Sequence, residues 1–348
     1  MGKKQRFKID FYFFYALINV ESNVGQSRAG RQLAVGTQSS FEYPNDGSLR
    51  LLLREAANQL CQMVDGDFDF VVQVSKSDDD LDKLLLLVNF VMATARRSLN
   101  DLKNIHKRVE EDLAAARRLQ EKLSPQMLPT SRHLCASAKC VPARAVGGDF
   151  FDFFRYERSG LYSGLLADVS GKGAPAALYA ALASGIVGSM AENEFNPQQM
   201  LTALNRTLFK RAPEEHFMTL AYFTWDDENL VLEVSNAGLP EPLLCRNGEV
   251  QRLRAHGVPL GLFAEAEYES LRIQCEQGDT LLFYTDGVVE TVDATDKDFG
   301  TQRLSNVLLS ANSYNSARIV EMVFEQVNEH CQCAMNADDQ TVIAMKVV

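Results

Sequence analysis

From Ala93 to Leu123 apolar side chains recur at alternating spacings of three and four: Leu99, Leu102, Ile105 or His106, Val109, Leu113, Ala116, and Leu119 or Leu123. A spacing that averages three and a half draws one narrow stripe along a helix, the seam of a coiled coil. No Gly or Pro interrupts the segment until Pro125, and Pro125 and Pro129 end it. A helix with so narrow a stripe is marginal alone in water. A parallel homodimer through this linker, residues 93–125, is therefore expected. Ahead of it, Leu49–Val64 and Asp80–Ala95 also repeat apolar residues at helical spacing. Gly66-Asp67 and an extended Phe68–Val74 separate them. Beyond Leu134, apolar runs predict strands at Leu161–Val169, Thr219–Asp226, Leu230–Asn236, Thr280–Thr285 and Val342–Val348. Helical spacing marks Pro175–Met190, Pro197–Lys210 and Ser316–His330. Short strands flanking helices predict an α+β or layered α/β domain at 126–348, with a regulatory region at 1–92.

Composition narrows this picture. At 348 residues the chain suits one large and one small domain, and 46% hydrophobic residues are enough for a core. A net charge of −11 argues against a nucleic-acid binder. The seven cysteines form no CxxC pair, and Cys331-x-Cys333 has no second pair to complete a zinc site, so free thiols in a reducing cytosol are expected. The apolar run Ile9–Val20 contains Asp10 and falls short of the ~20 residues of a spanning helix. Gly2 invites myristoylation, but Arg6 stands where that signal needs Ser or Thr. A cytoplasmic protein without a membrane span is the expectation.

The candidate chemistry is acidic. Four segments place Asp beside glycine or at the edge of an apolar run: Gly147-Gly148-Asp149, Asp168-Val169-Ser170-Gly171-Lys172-Gly173, Thr285-Asp286-Gly287 and Asp338-Asp339-Gln340-Thr341. An Asp at a strand end is fixed at a rim, and a neighbouring glycine leaves backbone room. Each alone is an ordinary turn. Four converging carboxylates with few basic neighbours would repel unless hard divalent cations joined them. Lys172 between glycines is no phosphate loop, because Gly173-Ala174 follows it instead of Ser or Thr. No cysteine sits in a Cys-x₅-Arg loop, and the five histidines form no pair at helical spacing.

The order GGD, DVSGKG, NAG, PLG, YTDG, FG, RL, DDQT resembles the PPM-type metal-dependent serine phosphatases, in their bacterial SpoIIE/RsbU-like branch. The matching segments are Val146–Asp152, Asp168–Ala177, Asn236–Pro242, Pro259–Leu262, Gly278–Glu290, Phe299–Leu304 and Asp338–Val342, and the likeness begins near Gln120. The resemblance implies a β-sandwich flanked by helices with two Mn²⁺ or Mg²⁺ ions at one end. Carried onto this chain, it makes Asp149 and Asp168 ligands, with Asp168 shared by both ions and the Val169 carbonyl in the place of the usual glycine's. Asp286 and one of the final pair complete the set, Asp338 in preference to Asp339, with Asp152 a further alternative. Arg144 stands five residues before Asp149, at the spacing of a phosphate-binding arginine in the wider superfamily; a surface arginine fits as well. Leu239 replaces the histidine many branch members carry after Asn-Ala-Gly, which leaves the general acid unassigned.

The implied substrate is phosphoserine or phosphothreonine on a partner, an anti-anti-sigma (STAS) protein in this branch. A binding-only pseudophosphatase is the rival reading, and the four intact acidic motifs oppose it. The two helices at 49–92 loosely resemble a HAMP module, and an unrelated helical dimerisation segment suits the same residues.

Overall fold

The computed structural model describes residues 80–125, 128–156, 160–211, 216–331 and 337–348. The chain divides into two units, Met1–Ser98 and Leu99–Val348, and the sheets and the candidate site lie in the second. The helix expected at Leu49–Val64, the connector Phe68–Val74 and hence the HAMP-like pair fall outside the described residues. From Asp80 the chain is one helix, α1 (Asp80–Leu123), of 44 residues. This helix runs through Ala93, where the linker is expected to begin. No helix breaker stands there, so the backbone continues through it.

Two antiparallel five-stranded sheets follow. One runs in the order β1 (Leu134–Val141), β10 (Gln340–Val347), β9 (Thr280–Tyr284), β6 (Leu243–Arg246), β7 (Glu249–Arg252). The other runs β2 (Phe150–Arg155), β3 (Leu161–Val169), β4 (Met218–Asp226), β5 (Val231–Ala237), β8 (Leu271–Gln274). Successive side chains on a strand point to opposite faces, and here both faces are covered. Leu166, Phe223 and Trp225 meet Leu281, Phe283 and Ile343 between the sheets. Their neighbours Leu165, Ala167, Leu220 and Tyr222 face α2 (Ala174–Ala191) and α3 (Pro197–Phe209). On the other side, Leu282, Tyr284, Val342 and Ala344 face α5 (Gly300–Ala311) and α6 (Ser316–Cys331). The result is the helix-flanked β-sandwich that the motif order implied.

Strands buried on both faces lose the polar alternation and read as apolar runs. That is why β3, β4, β5, β9 and β10 were visible in the sequence. β1, β2, β8, the short helix α4 (Asp286–Val289) and α5 were not assigned. Nor was the β6–β7 hairpin, whose turn is Asn247-Gly248 with both φ angles positive, at 51° and 81°. Asn-Gly between two short runs is a hairpin signal in its own right. The helices begin where local chemistry starts them. Asn196 caps α3 through a reciprocal pair of bonds with Gln199, and Pro197 follows in the first turn. α2 is long and apolar enough to cross a membrane on length and composition. Its Ala176, Tyr179, Ala180, Ala183 and Val187 are buried in the core against the sheet.

Candidate metal centre

The four acidic segments meet at one end of the sandwich because the strand pairings bring them there. Asp149 immediately precedes β2, whose first residue pairs with Ala167 of β3, and Asp168 follows on β3. Thr285 and Asp286 leave β9 just after Tyr284, which pairs with Val342 of β10; Asp338 and Asp339 lead into β10. Each segment is closed on the next at van der Waals limits. A Cβ on Gly148 would lie 2.9 Å from the Val169 carbonyl oxygen, one on Gly147 2.6 Å from the Asp339 carboxylate, and one on Gly287 2.0 Å from the Asp339 carbonyl oxygen. Gly147, Gly148 and Gly287 are there for close approach, whereas Gly171 and Gly173 supply positive φ.

Asp149 is buried, 3% exposed. Its Oδ2 accepts hydrogen bonds from the hydroxyls of Thr285, at 2.9 Å, and Thr341, at 2.7 Å, while its buried Oδ1 has no hydrogen-bond partner. The Thr285 hydroxyl also accepts from the Thr341 backbone N–H, so β9 and β10 hold this carboxylate jointly. Asp339 plays a different part from Asp338. Its two oxygens accept backbone N–H groups, from Ala143 at 2.7 Å and Gly148 at 2.6 Å, which pins the Gly-Gly-Asp turn. Asp338 is half-buried, and its Oδ2 meets Lys172 Nζ at 2.8 Å. Asp152 lies within β2, where its carboxylate accepts the N–H of Phe153.

The electrostatics follow from burial and crowding. Burial raises the proton affinity of Asp149 far above the usual carboxylate range; Asp168 and Asp339 add to it, against the two threonine hydroxyls. Asp168 is pushed up to about 7, by burial first, then by the charges of Asp286, Asp338 and Asp339. Asp286 is raised by burial and then by Asp338, offset in part by the Gly287 N–H and Lys172. Four acids that each raise another's proton affinity are a set short of positive charge.

Among the described residues, no three His, Cys, Asp or Glu side chains form a ready-made metal-ligand group. Asp338 is turned onto Lys172, and Asp149 Oδ2 onto its threonines. The donor chemistry nonetheless fits a hard divalent cation. The candidates are carboxylate oxygens and a backbone carbonyl, and one buried carboxylate oxygen lacks any hydrogen-bond partner. Cys140, near Asp149, is a poor nucleophile, because burial and that aspartate push its thiol up to about 12.

Arg144 is exposed, and its Nη1 lies 3.6 Å from the point where a Cβ on Gly173 would stand. It therefore flanks the loop after Asp168, and it makes no ion pair among the described residues. Leu239, in the place of the branch's histidine, is buried; its backbone N–H and C=O close a turn with the Asn236 amide. Three contributors went unassigned from the sequence. Thr285 and Thr341 stand inside quoted motifs, but hydroxyls carry no charge pattern. Gln120 on α1 donates to the Gly147 carbonyl at 2.7 Å and accepts its N–H at 3.3 Å.

The family model for stage II sporulation protein E (SpoIIE) matches residues 159–348, more than half of the chain. Phosphoserine phosphatase RsbU of Bacillus subtilis is 26% identical over 244 residues, 69% of this chain and 68% of RsbU. Protein IcfG of Synechocystis is 26% identical over 312 residues, 80% of this chain but 48% of IcfG. Among solved structures, the SiaA-PP2C domain of Pseudomonas aeruginosa superposes with a TM-score of 0.63 at 20% identity, covering 70% of this chain and 99% of that domain. The PP2C phosphatase domain of B. subtilis SpoIIE, solved with a fragment of its regulatory domain, gives 0.53 at 19% identity, covering 63% and 64%. These likenesses share the sandwich and its flanking helices. The chain belongs to the SpoIIE family and carries that family's PP2C-type phosphatase domain.

Proposed function

We propose that this domain hydrolyses phosphoserine or phosphothreonine on a partner protein with the help of two divalent cations, Mn²⁺ or Mg²⁺. The observation that carries the reading is the buried Asp149 carboxylate, one oxygen fixed by Thr285 and Thr341 and the other unpartnered, beside Asp168 and Asp339, which raise its proton affinity further. Asp149, Asp168, the Val169 carbonyl, Asp286 and Asp338 are the proposed ligands, and Asp339 holds the loop that presents Asp149. Bound there, divalent cations supply Lewis acidity toward a phosphoryl oxygen and an acidified water. Arg144 receives the phosphate, since a guanidinium presents paired donors to its oxygens. No side-chain nucleophile is required, in keeping with the inert Cys140.

RsbU and RsbP of B. subtilis are both named phosphoserine phosphatases, which supports seryl phosphate as the substrate here. A STAS-type regulator is the proposed phosphoprotein, and the cytoplasm the proposed compartment. Residues 1–92 are proposed as regulatory, 93–125 as a dimerising linker and 126–348 as catalytic. The rival, docking without catalysis, leaves the unpartnered Asp149 oxygen and the mutual repulsion of the acids without a purpose.

The test is hydrolysis of p-nitrophenyl phosphate at saturating Mn²⁺ by Asp168→Asn and Asp286→Asn. Both should lose turnover while circular dichroism shows an unchanged fold. Near wild-type rates in either variant would refute the assignment.

A further inference from the structure

Resting on that reading of the acids as ligands, we propose that Lys172 is a tethered counter-ion. It stands in for a divalent cation at Asp338 and has to be displaced before that carboxylate can become a ligand. The lysine sits between Gly171, φ +98°, and Gly173, φ +76°. It is thus the single side chain on a tight turn directly after Asp168-Val169-Ser170. Its Nζ lies 2.8 Å from Asp338 Oδ2 and donates to the Ala337 carbonyl at 2.5 Å. Both partners belong to the loop ahead of β10, so one ammonium group ties together two of the acidic segments. Among the described residues it is the only cationic side chain ion-paired to any of Asp149, Asp168, Asp286, Asp338 and Asp339.

The arrangement has a physical logic in two states. Without added cations, the crowded carboxylates need positive charge, and Lys172 supplies one unit of it to Asp338. The pair is half-exposed, with side-chain accessibilities of 38% for Lys172 and 43% for Asp338. Such a pair is weak and labile. A dication brings twice the charge to the same oxygen, and the long lysine stem lets the ammonium swing out to water. Lys172 therefore steadies the metal-free site and competes with the metal, which weakens apparent cation affinity at Asp338.

The experiment is calorimetric titration of Mn²⁺ into the metal-stripped full chain, with the melting temperature in chelator measured alongside. Three proteins are compared: wild type, Lys172→Met, which keeps most of the stem without charge, and Lys172→Arg, which keeps the charge. Lys172→Met should bind its weaker Mn²⁺ about two- to fivefold more tightly. It should also melt at a lower temperature when metal-free, and Lys172→Arg should follow wild type in both. Lys172→Met binding Mn²⁺ as wild type does, or more weakly, would overturn the counter-ion role while leaving the ligand assignment intact. Wild type without any Mn²⁺ binding would remove the ligand assignment and this inference together.

Discussion

At the scale of single residues, Asp168 governs how the site responds to pH. Its folded proton affinity is pushed up to about 7 from an ordinary 3.8, so folding without metal favours the protonated acid. The sign follows from linkage. The contribution to stability is fully present below about pH 4 and is lost as pH rises through about 7, because the folded site then has to accept the charge. Metal-free protein should therefore lose stability between about pH 4 and pH 8. Asp168→Asn should flatten that window and be more stable than wild type at pH 8 by on the order of 2–4 kcal/mol. Denaturant unfolding in chelator measures both, and an Asp168→Asn protein with the wild-type pH slope would contradict the account. Arg144 is tested by kinetics. Arg144→Ala should lower kcat/KM on a phosphoprotein by about 1.5–3 kcal/mol, the worth of a charge-assisted hydrogen bond. Unchanged kinetics would return it to the surface. The acids were legible because Asp beside Gly at a strand end is a pattern of identity and order. The roles of Thr285 and Thr341 were not, since a hydroxyl donating to a buried carboxylate is recognisable only once β9 and β10 are paired.

At the scale of elements, the long strands buried on both faces were the legible ones. β3 and β10 are buried nearly along their whole length and appeared in the sequence as unbroken apolar runs. β1, with Ser137 and Lys139 among small residues, lies at a sheet edge and carries no such signature. α5 packs Leu304, Val307, Leu308 and Ala311 into the core, a helical spacing that was present in the sequence but not assigned. The last turn of α1 lies in the expected linker, yet its Gln120 amide is bonded on both sides to Gly147, two residues from Asp149. A glutamine within a polar helix has no pattern to betray a partner 27 residues away. An apolar groove of about 230 Å³ lies beside it, between Leu119 and Leu123 of α1 and Ala177 and Leu178 of α2.

At the scale of the whole molecule, the exposed apolar residues of α1 support the proposal of a dimer. Leu102, Ile105, Val109, Leu119 and Leu123 are all exposed in the single chain. An apolar stripe of that length on a solvated helix calls for a partner helix. The stripe flanks the Gln120–Gly147 clamp, so a change in helix packing would be felt at the turn that presents Asp149. Such coupling needs two packings close in free energy, biased by a signal that distinguishes them. Replacing Leu102, Val109 and Leu113 together with Gln should give a monomer by sedimentation and shift the Mn²⁺ concentration needed for half-maximal rate. A persistent dimer, or a monomer with the wild-type metal requirement, would leave α1 as a spacer.

The central claim is that these carboxylates exist to hold cations for phosphoryl hydrolysis. The most direct measurement is single-turnover release of phosphate from a seryl-phosphorylated STAS protein by metal-stripped enzyme, to which Mn²⁺ is then returned. The account predicts no release in chelator, release on addition of Mn²⁺, and none from Asp286→Asn under the same conditions. Release by the stripped protein at an undiminished rate, or by Asp286→Asn as fast as wild type, would contradict it.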